Sequence, residues 1–185
     1  DFSSNMNFVI SETASVDESY NQTRIKQSKV SYKANTLKCS FTNAKDQKIA
    51  VLFQVSNNNI AFRYELPSWG DTKACVIMEE KTGFKFPSST TTFLSPMMKS
   101  MTGFARTAPS YESGYEADAP LNKNTSSYGY VFPGLFNLGN KAWALLSETG
   151  VSSLYPGSHL SAYKEGLFTV EYPNADQNNG FGSSG

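Results

Sequence analysis

Two carboxylates in aromatic, turn-rich settings are the side chains of this sequence best suited to chemistry. Glu112 lies in PSYESGYEADAP, between Tyr111 and Tyr115. Glu148 follows the densest apolar run, Trp143-Ala144-Leu145-Leu146, at a Thr-Gly turn. A carboxylate framed by aromatic rings suits calcium, which wants several oxygen ligands. It equally suits a sugar, whose apolar ring face is edged by hydroxyls. Without a ligand, the Glu112 segment is a solvated loop and Glu148 a strand end at the water boundary, and composition alone favours those readings. Glycosidase chemistry needs two carboxyl groups facing one bond, roughly 5–5.5 Å apart for retention and roughly 6.5–9.5 Å for inversion. Glu112 and Glu148 can form such a pair, although nothing in their spacing along the chain demands it.

Other chemistries have less support. His159 is the only histidine, and zinc sites and Ser-His-Asp triads both place an imidazole in a composed set. Alone after Gly157-Ser158, it reads as a structural or surface residue. Ser147 lacks the flanking glycines of a nucleophile elbow, and Gly180-Phe181-Gly182 lacks the strand–helix context of a phosphate loop. Glu79-Glu80 reads as a solvated strand end. Arg63 and Glu65 fall on one strand face and can pair there. Asn21 and Asn124 each begin a glycosylation-type triplet, a frequent match.

The elements that must position these groups are strands. Ile60, Phe62, Tyr64 and Leu66 alternate with Ala61, Arg63 and Glu65, the period of a half-buried strand. Pro67 ends it, having no N–H for a ladder. The run IAVLFQV before it is apolar on both faces, and Asn57-Asn58-Asn59 between them is a turn signal. Residues 48–66 therefore read as a hairpin. A turn is expected at 43–46. Further strands are expected at 8–10, 30–32, 37–41, 74–79, 84–86, 129–132, 141–147, 151–154, 160–163 and 167–172. An edge strand is expected in Ser88–Leu94, and Trp143–Leu146 reads as a core strand. The segment SETASVDESYNQTRIKQSK is polar and turn-rich. Residues 95–128, punctuated by Pro and Gly, form a long loop, the kind that usually carries function. No helix of ten or more residues is indicated, so the expected class is all-β, a sandwich with antiparallel sheets and a barrel as the alternative.

Composition bounds the rest. The 185 residues suffice for one domain with a core. Charged residues make up 17% and the formal net charge is +0, which leaves no electrostatic footprint for nucleic acid or an anionic membrane. No apolar run is long enough to span a bilayer. Cys39 and Cys75 are too few for a disulfide scaffold and read as two buried thiols. The tail after Tyr172 has a flexible composition.

The sequence also resembles the N-terminal domain of glycoside hydrolase family 97, the group of Bacteroides-type α-glucosidases and α-galactosidases. The resemblance is carried by FVISETASVDESY at 8–20, NNNIAFRYELP at 57–67 and IMEEKTGFKFP at 77–87. It continues through PSYESGY at 109–115, YVFPGLFNLGNKAWALLSETG at 130–150 and YPGSHLS at 155–161. It implies a β-super-sandwich that is incomplete as an enzyme, with residues 1–185 covering most of an N-terminal domain and a catalytic (β/α)8 barrel downstream. The catalytic carboxylates would lie on that barrel, so residues 1–185 alone would be inactive, and whether the parent enzyme retains or inverts is left undecided. The resemblance implies that Glu112 helps hold an active-site Ca2+ together with barrel glutamates, bound weakly or not at all by this domain alone. It places Glu148, Tyr111 and Tyr115 near substrate or the interface with the barrel. Family members often carry His where this chain has Ser147, which weakens any role for that neighbour. The implied substrate is an oligosaccharide with terminal α-linked glucose or galactose, and the implied location is the periplasm, the outer membrane or the exterior. Two other classes stay open: a free-standing carbohydrate-binding sandwich using Trp69, Trp143 or Tyr111, and a structural domain of a surface protein.

Overall fold

The computed structural model describes residues 2–24, 26–71, 75–97, 114–152, 155 and 157–172. The chain is all-β, with three antiparallel sheets among the described residues, and divides into two compact units, Asp1–Cys75 and Val76–Gly185.

The first unit is a meander of β1 (Asn7–Asn21), β2 (Lys29–Thr42), β3 (Lys48–Val55) and β4 (Ile60–Glu65), in that order across the sheet. The expected hairpin is β3–β4, closed by the Ser56 N–H donating to the Asn59 carbonyl at 2.9 Å. The turn at 43–46 is held by Asn43, whose side-chain oxygen accepts N–H bonds from Lys45 (2.9 Å) and Gln47 (3.0 Å). An asparagine turning its own backbone in this way is an Asx turn. Arg63 and Glu65 do share a face and pair at 2.8 Å, and Lys38 joins them at 2.7 Å. Lys38 and then Arg63 hold the Glu65 carboxyl below its ordinary pKa.

The segment SETASVDESYNQTRIKQSK, expected to be rich in turns, is mostly strand: residues 11–21 complete β1, a 15-residue strand paired with β2 over nearly its whole length. Both its faces are largely exposed, so burial imposes no alternation on it and the backbone ladder alone defines it. The thiols also differ from expectation: Cys39 is partly buried and Cys75 exposed, both free. Residues 75–80 contain no strand, although one was expected over 74–79.

The second unit carries β5 (Gly83–Phe84), β6 (Thr91–Phe93), β7 (Ala119–Pro120), β8 (Gly134–Gly139), β9 (Ala142–Leu146), β10 (His159–Leu160) and β11 (Phe168–Glu171). They form two sheets, β10-β11-β5 and β7-β6-β8-β9. A 3-10 turn at Leu121–Lys123 is the only helical element among the described residues. The expected edge strand, β6, lies inside its sheet, and the expected core strand, β9, lies at its edge. Residues 129–132 supply only a bridge: Tyr130 pairs with Pro96 on one side and Leu160 on the other. Val151 and Ser152 are not in a strand.

The core forms where the two sheets meet. Phe136 of β8 and Phe168 of β11 are both fully buried, edge to face with centroids 5.5 Å apart. Phe86 stacks on Phe136 at 4.2 Å, and Leu94, Leu121, Tyr130 and Leu160 complete the cluster. Gly134 is required by this packing, since a Cβ there would sit 2.9 Å from Leu94 Cδ2. Asn124, one of the glycosylation matches, is buried, its amide donating to Thr92 Oγ1 at 2.9 Å and to the Leu121 carbonyl at 3.2 Å. His159 is a structural residue. It is buried, sits opposite Glu171 in the β10–β11 ladder, and has Nε2 3.5 Å from the Glu171 carboxylate. Burial pushes its pKa down, against the opposing pull of Glu171.

Two outcomes are expected. Phe136→Ala destabilises the second unit by about 3–5 kcal/mol, whereas Phe93→Ala, on an exposed side chain, costs about 1 kcal/mol or less; urea titration separates them. Because folding favours neutral His159, its contribution is fully present above the free-imidazole pKa of about 6.5 and declines as pH falls below it. His159→Gln should flatten the loss of melting temperature between about pH 7.5 and 5.5, and an unchanged slope would reject this assignment.

Candidate functional site

The sheet β7-β6-β8-β9 has one face on the core and one outward. Thr92 and Phe136 point inward and are buried. Their neighbours point the other way, in two cross-strand rows: Leu145–Leu135–Phe93 and Trp143–Asn137–Thr91–Pro120. Trp143 is 57% exposed and Leu145 63%. This outward face is therefore built of large apolar groups interleaved with an amide and a hydroxyl. The Thr91 hydroxyl donates to Asp118 Oδ1 at 3.1 Å, which places a carboxylate at its margin.

Tyr115 belongs to this surface. Its ring lies flat on Phe93, centroids 4.9 Å apart and planes 8° from parallel. Both rings are exposed, Tyr115 by 56% and Phe93 by 42%. Lys123 and Glu116 pair nearby at 3.0 Å, both on the surface. Tyr111 and Glu112 lie outside the described residues.

Glu148 leaves the end of β9 and reaches across to the segment entering β10. Its Oε2 accepts the Ser158 backbone N–H and its Oε1 the Ser158 hydroxyl, each at 2.8 Å. A hydrogen bond to an ionised group is among the stronger kinds, and two of them orient both carboxylate oxygens. The side chain is nonetheless exposed. Each oxygen keeps lone-pair capacity for a further partner, so Glu148 is a pre-oriented acceptor at the rim of the sheet. No hydrogen bond or ring contact joins it to Tyr115 among the described residues.

The tryptophans differ in availability. Trp69 stacks on Phe2 at 5.4 Å and its indole N–H donates to the Lys48 carbonyl at 3.2 Å, so it serves packing in the first unit. Trp143 is exposed on the outward face, with no ring partner among the described residues. Phe93 and Ser158, which hold two of the sequence-predicted residues, were not singled out from the sequence. Phe93 carries a weak signal in the alternation of Thr92, Phe93 and Leu94, but Ser158 carries none. Among the described residues, no three of His, Cys, Asp or Glu converge where they could hold a metal ion.

Comparisons with known proteins now apply. The family model for the glycosyl-hydrolase 97 N-terminal domain matches residues 1–180. A crystal structure of a beta-arabinopyranosidase is 49% identical, with a TM-score of 0.91 over 99% of this chain. The chain spans only 30% of that protein. A glycoside hydrolase family 97 enzyme from Pseudoalteromonas sp. strain K8, solved with acarbose, shares the fold at 20% identity and a TM-score of 0.76, over 92% of this chain and 24% of its own. Its E480Q variant, solved with panose, gives 20% and 0.75. Comparison with curated proteins gives no match. With nearly its whole length matched by the family model, this chain belongs to the glycosyl-hydrolase 97 N-terminal family.

Proposed function

We propose that residues 1–185 belong to the non-catalytic N-terminal domain of an exported, periplasmic or secreted glycosidase that removes a terminal sugar from oligosaccharides. The observation that carries this reading is the 49% identity, over 99% of this chain, to a beta-arabinopyranosidase of more than three times its length. The carboxylic acid that protonates the glycosidic oxygen, and the carboxylate that attacks the sugar or activates water, would come from a (β/α)8 barrel in the remainder of the polypeptide. The outward face bearing Trp143, Leu145, Phe93 and Tyr115 suits contact with that barrel, because aromatic rings interleaved with a few polar groups are what interface centres are made of. Glu148, exposed and pre-oriented beside that face, would meet the barrel or the substrate.

The identity to a beta-arabinopyranosidase supports a substrate of the corresponding ring configuration, taken as the L sugar. β-L-Arabinopyranose has the ring configuration of α-D-galactopyranose without the C5 hydroxymethyl group. A site hydrogen-bonded to the axial C4 hydroxyl discriminates against the gluco epimer by orders of magnitude, because its buried polar groups would be left unpaired. The preferred substrate is therefore galacto-configured rather than a glucoside. Calcium remains part of the proposal through Glu112. The described residues supply no composed oxygen set, and calcium takes about 6–8 oxygen ligands, so Glu112 would be one ligand of a site completed by the barrel. When bound there, the ion would orient groups on the leaving side.

The test uses the full-length enzyme. It should cleave p-nitrophenyl β-L-arabinopyranoside or α-D-galactopyranoside at least about 100-fold faster than the α-glucoside, and residues 1–185 alone should cleave none. Hydrolysis by residues 1–185, or a preference for the glucoside, would sink the corresponding part. If calorimetry instead shows oligosaccharide binding by residues 1–185 that Trp143→Ala abolishes, the module reading prevails. Glu148→Ala should speed hydrogen exchange at the Ser158 amide about fivefold, the loss of about 1 kcal/mol of local restraint. Ser158→Ala, which removes one of the two bonds, should fall between.

A further inference from the structure

The segment entering β10 does two different things to Glu148. Ser158 holds it, by its backbone N–H on Oε2 and its hydroxyl on Oε1, each at 2.8 Å. A single donor would leave the carboxylate free to swing about it, whereas one donor on each oxygen fixes the plane of the group. Gly157, the neighbouring residue, leaves it room. A Cβ at Gly157 would meet Glu148 Oε2 at 3.7 Å and, its chain neighbours aside, no other atom of the described residues within 4 Å. That distance is ordinary van der Waals contact, and the backbone at Gly157 is not left-handed, so an alanine fits there without strain. Packing therefore does not require glycine at 157, in contrast to Gly134, where a Cβ would sit 2.9 Å from Leu94 Cδ2. What the missing methyl does at 157 is leave that side of Oε2 open. Glu148, Gly157 and Ser158 all belong to the second unit.

We infer that Gly157 and Ser158 are positioning residues that act through Glu148: Ser158 sets the direction of the carboxylate, and Gly157 keeps Oε2 open to a second donor, a hydroxyl or a cationic group on the substrate or the barrel. An exposed glutamate loses rotamer freedom when a partner orders it. Here the fold has already removed that freedom, so a partner that docks on Glu148 does not incur the loss again, which is the advantage of pre-organisation. The opening matters as much as the direction. A donor must come within about 3 Å of Oε2, and a methyl in contact with that oxygen closes the part of its shell that faces residue 157. The inference rests on the reading that Glu148 meets substrate or barrel in a longer glycosidase, and it adds which residues make the carboxylate competent to do so.

Kinetics of the full-length enzyme test this, on whichever of p-nitrophenyl β-L-arabinopyranoside and α-D-galactopyranoside it cleaves faster. Ser158→Ala and Gly157→Ala should each lower kcat/KM about fivefold or more, with the melting temperature within about 2 °C of the parent. Ser158→Thr, which keeps the hydroxyl, should restore about half of the parent value or more. In a Glu148→Ala background neither alanine should have any further effect, because residues that act as a unit are not additive. A merely structural role predicts instead that Gly157→Ala, which fits, changes nothing in the parent. A loss carried by KM alone puts the second donor on the substrate, and one carried by kcat puts it on a barrel group that the reaction needs. The inference is overturned if the losses persist in full in the Glu148→Ala background. It is equally overturned if both alanine variants stay within about twofold of the parent while Glu148→Ala falls about tenfold or more. Undiminished cleavage by Glu148→Ala sinks this inference and leaves the glycosidase reading standing. Failure of the unsubstituted full-length protein to cleave any sugar tested sinks that reading itself, and this inference with it.

Discussion

The contact at the heart of the second unit's described residues is the edge-to-face packing of Phe136 against Phe168. Each ring comes from a different sheet, so this contact lies at the centre of the cluster that joins the two sheets. Everything polar nearby inherits its position from it. Phe136 fixes β8, the tight turn at Asn140–Lys141 returns the chain as β9, and β9 delivers Glu148. Phe168 fixes β11, which pairs with β10 and so places Ser158 and His159. The bonds from Ser158 to Glu148 then close a loop whose two ends belong to different sheets. A carboxylate fixed from both sides of an aromatic core is oriented without being buried, so it avoids the desolvation that burying a charge would cost.

The same logic separates His159 from Glu148. Both meet the entry to β10, but His159 points into the interior and pairs with Glu171 across a ladder. Its imidazole is committed to holding β10 on β11. Glu148 faces solvent, and among the described residues its hydrogen-bond partner is Ser158. The lone histidine, which attracts attention in a search for chemistry, is thus a packing residue, and the less conspicuous carboxylate is the group still open to a ligand.

What was legible in the sequence follows from which strands are under burial constraint. The β3–β4 hairpin was readable because one face of it must be apolar, and because Asn57–Asn59 mark its turn. β1 was not, because it has neighbours on one side only and both its faces meet water, which leaves composition without a period. β8, which carries one of the two fully buried rings of the second unit, was hidden by its punctuation: Gly134, Asn137 and Gly139 read as turn residues. Gly134 is in fact demanded by Leu94, and Asn137 accepts the Gly139 N–H at 3.0 Å at the bulge. The run Trp143–Leu146 looked like a core strand because both its faces are apolar. Only Ala144 and Leu146 pack on the core, and the other two residues face outward. For the candidate site, residue types at Tyr115 and Glu148 were enough to single them out. Their partners Phe93 and Ser158 were not predictable, since stacking across 22 residues and a clamp across ten depend on tertiary geometry that no local pattern encodes.

Composition takes on a physical meaning once the outward face of β6, β8 and β9 is in view. Charged residues form 17% of the chain, against about 25% for an ordinary soluble domain. A freely solvated domain of this size would place charges on both faces of its peripheral sheets. Here the first sheet carries the Lys38–Glu65–Arg63 network on one face and the Asp17–Lys33 pair on the other, while the outward face of β6, β8 and β9 carries almost none. Scattered exposed apolar residues are ordinary on any protein, but contiguous sheet faces of them are not.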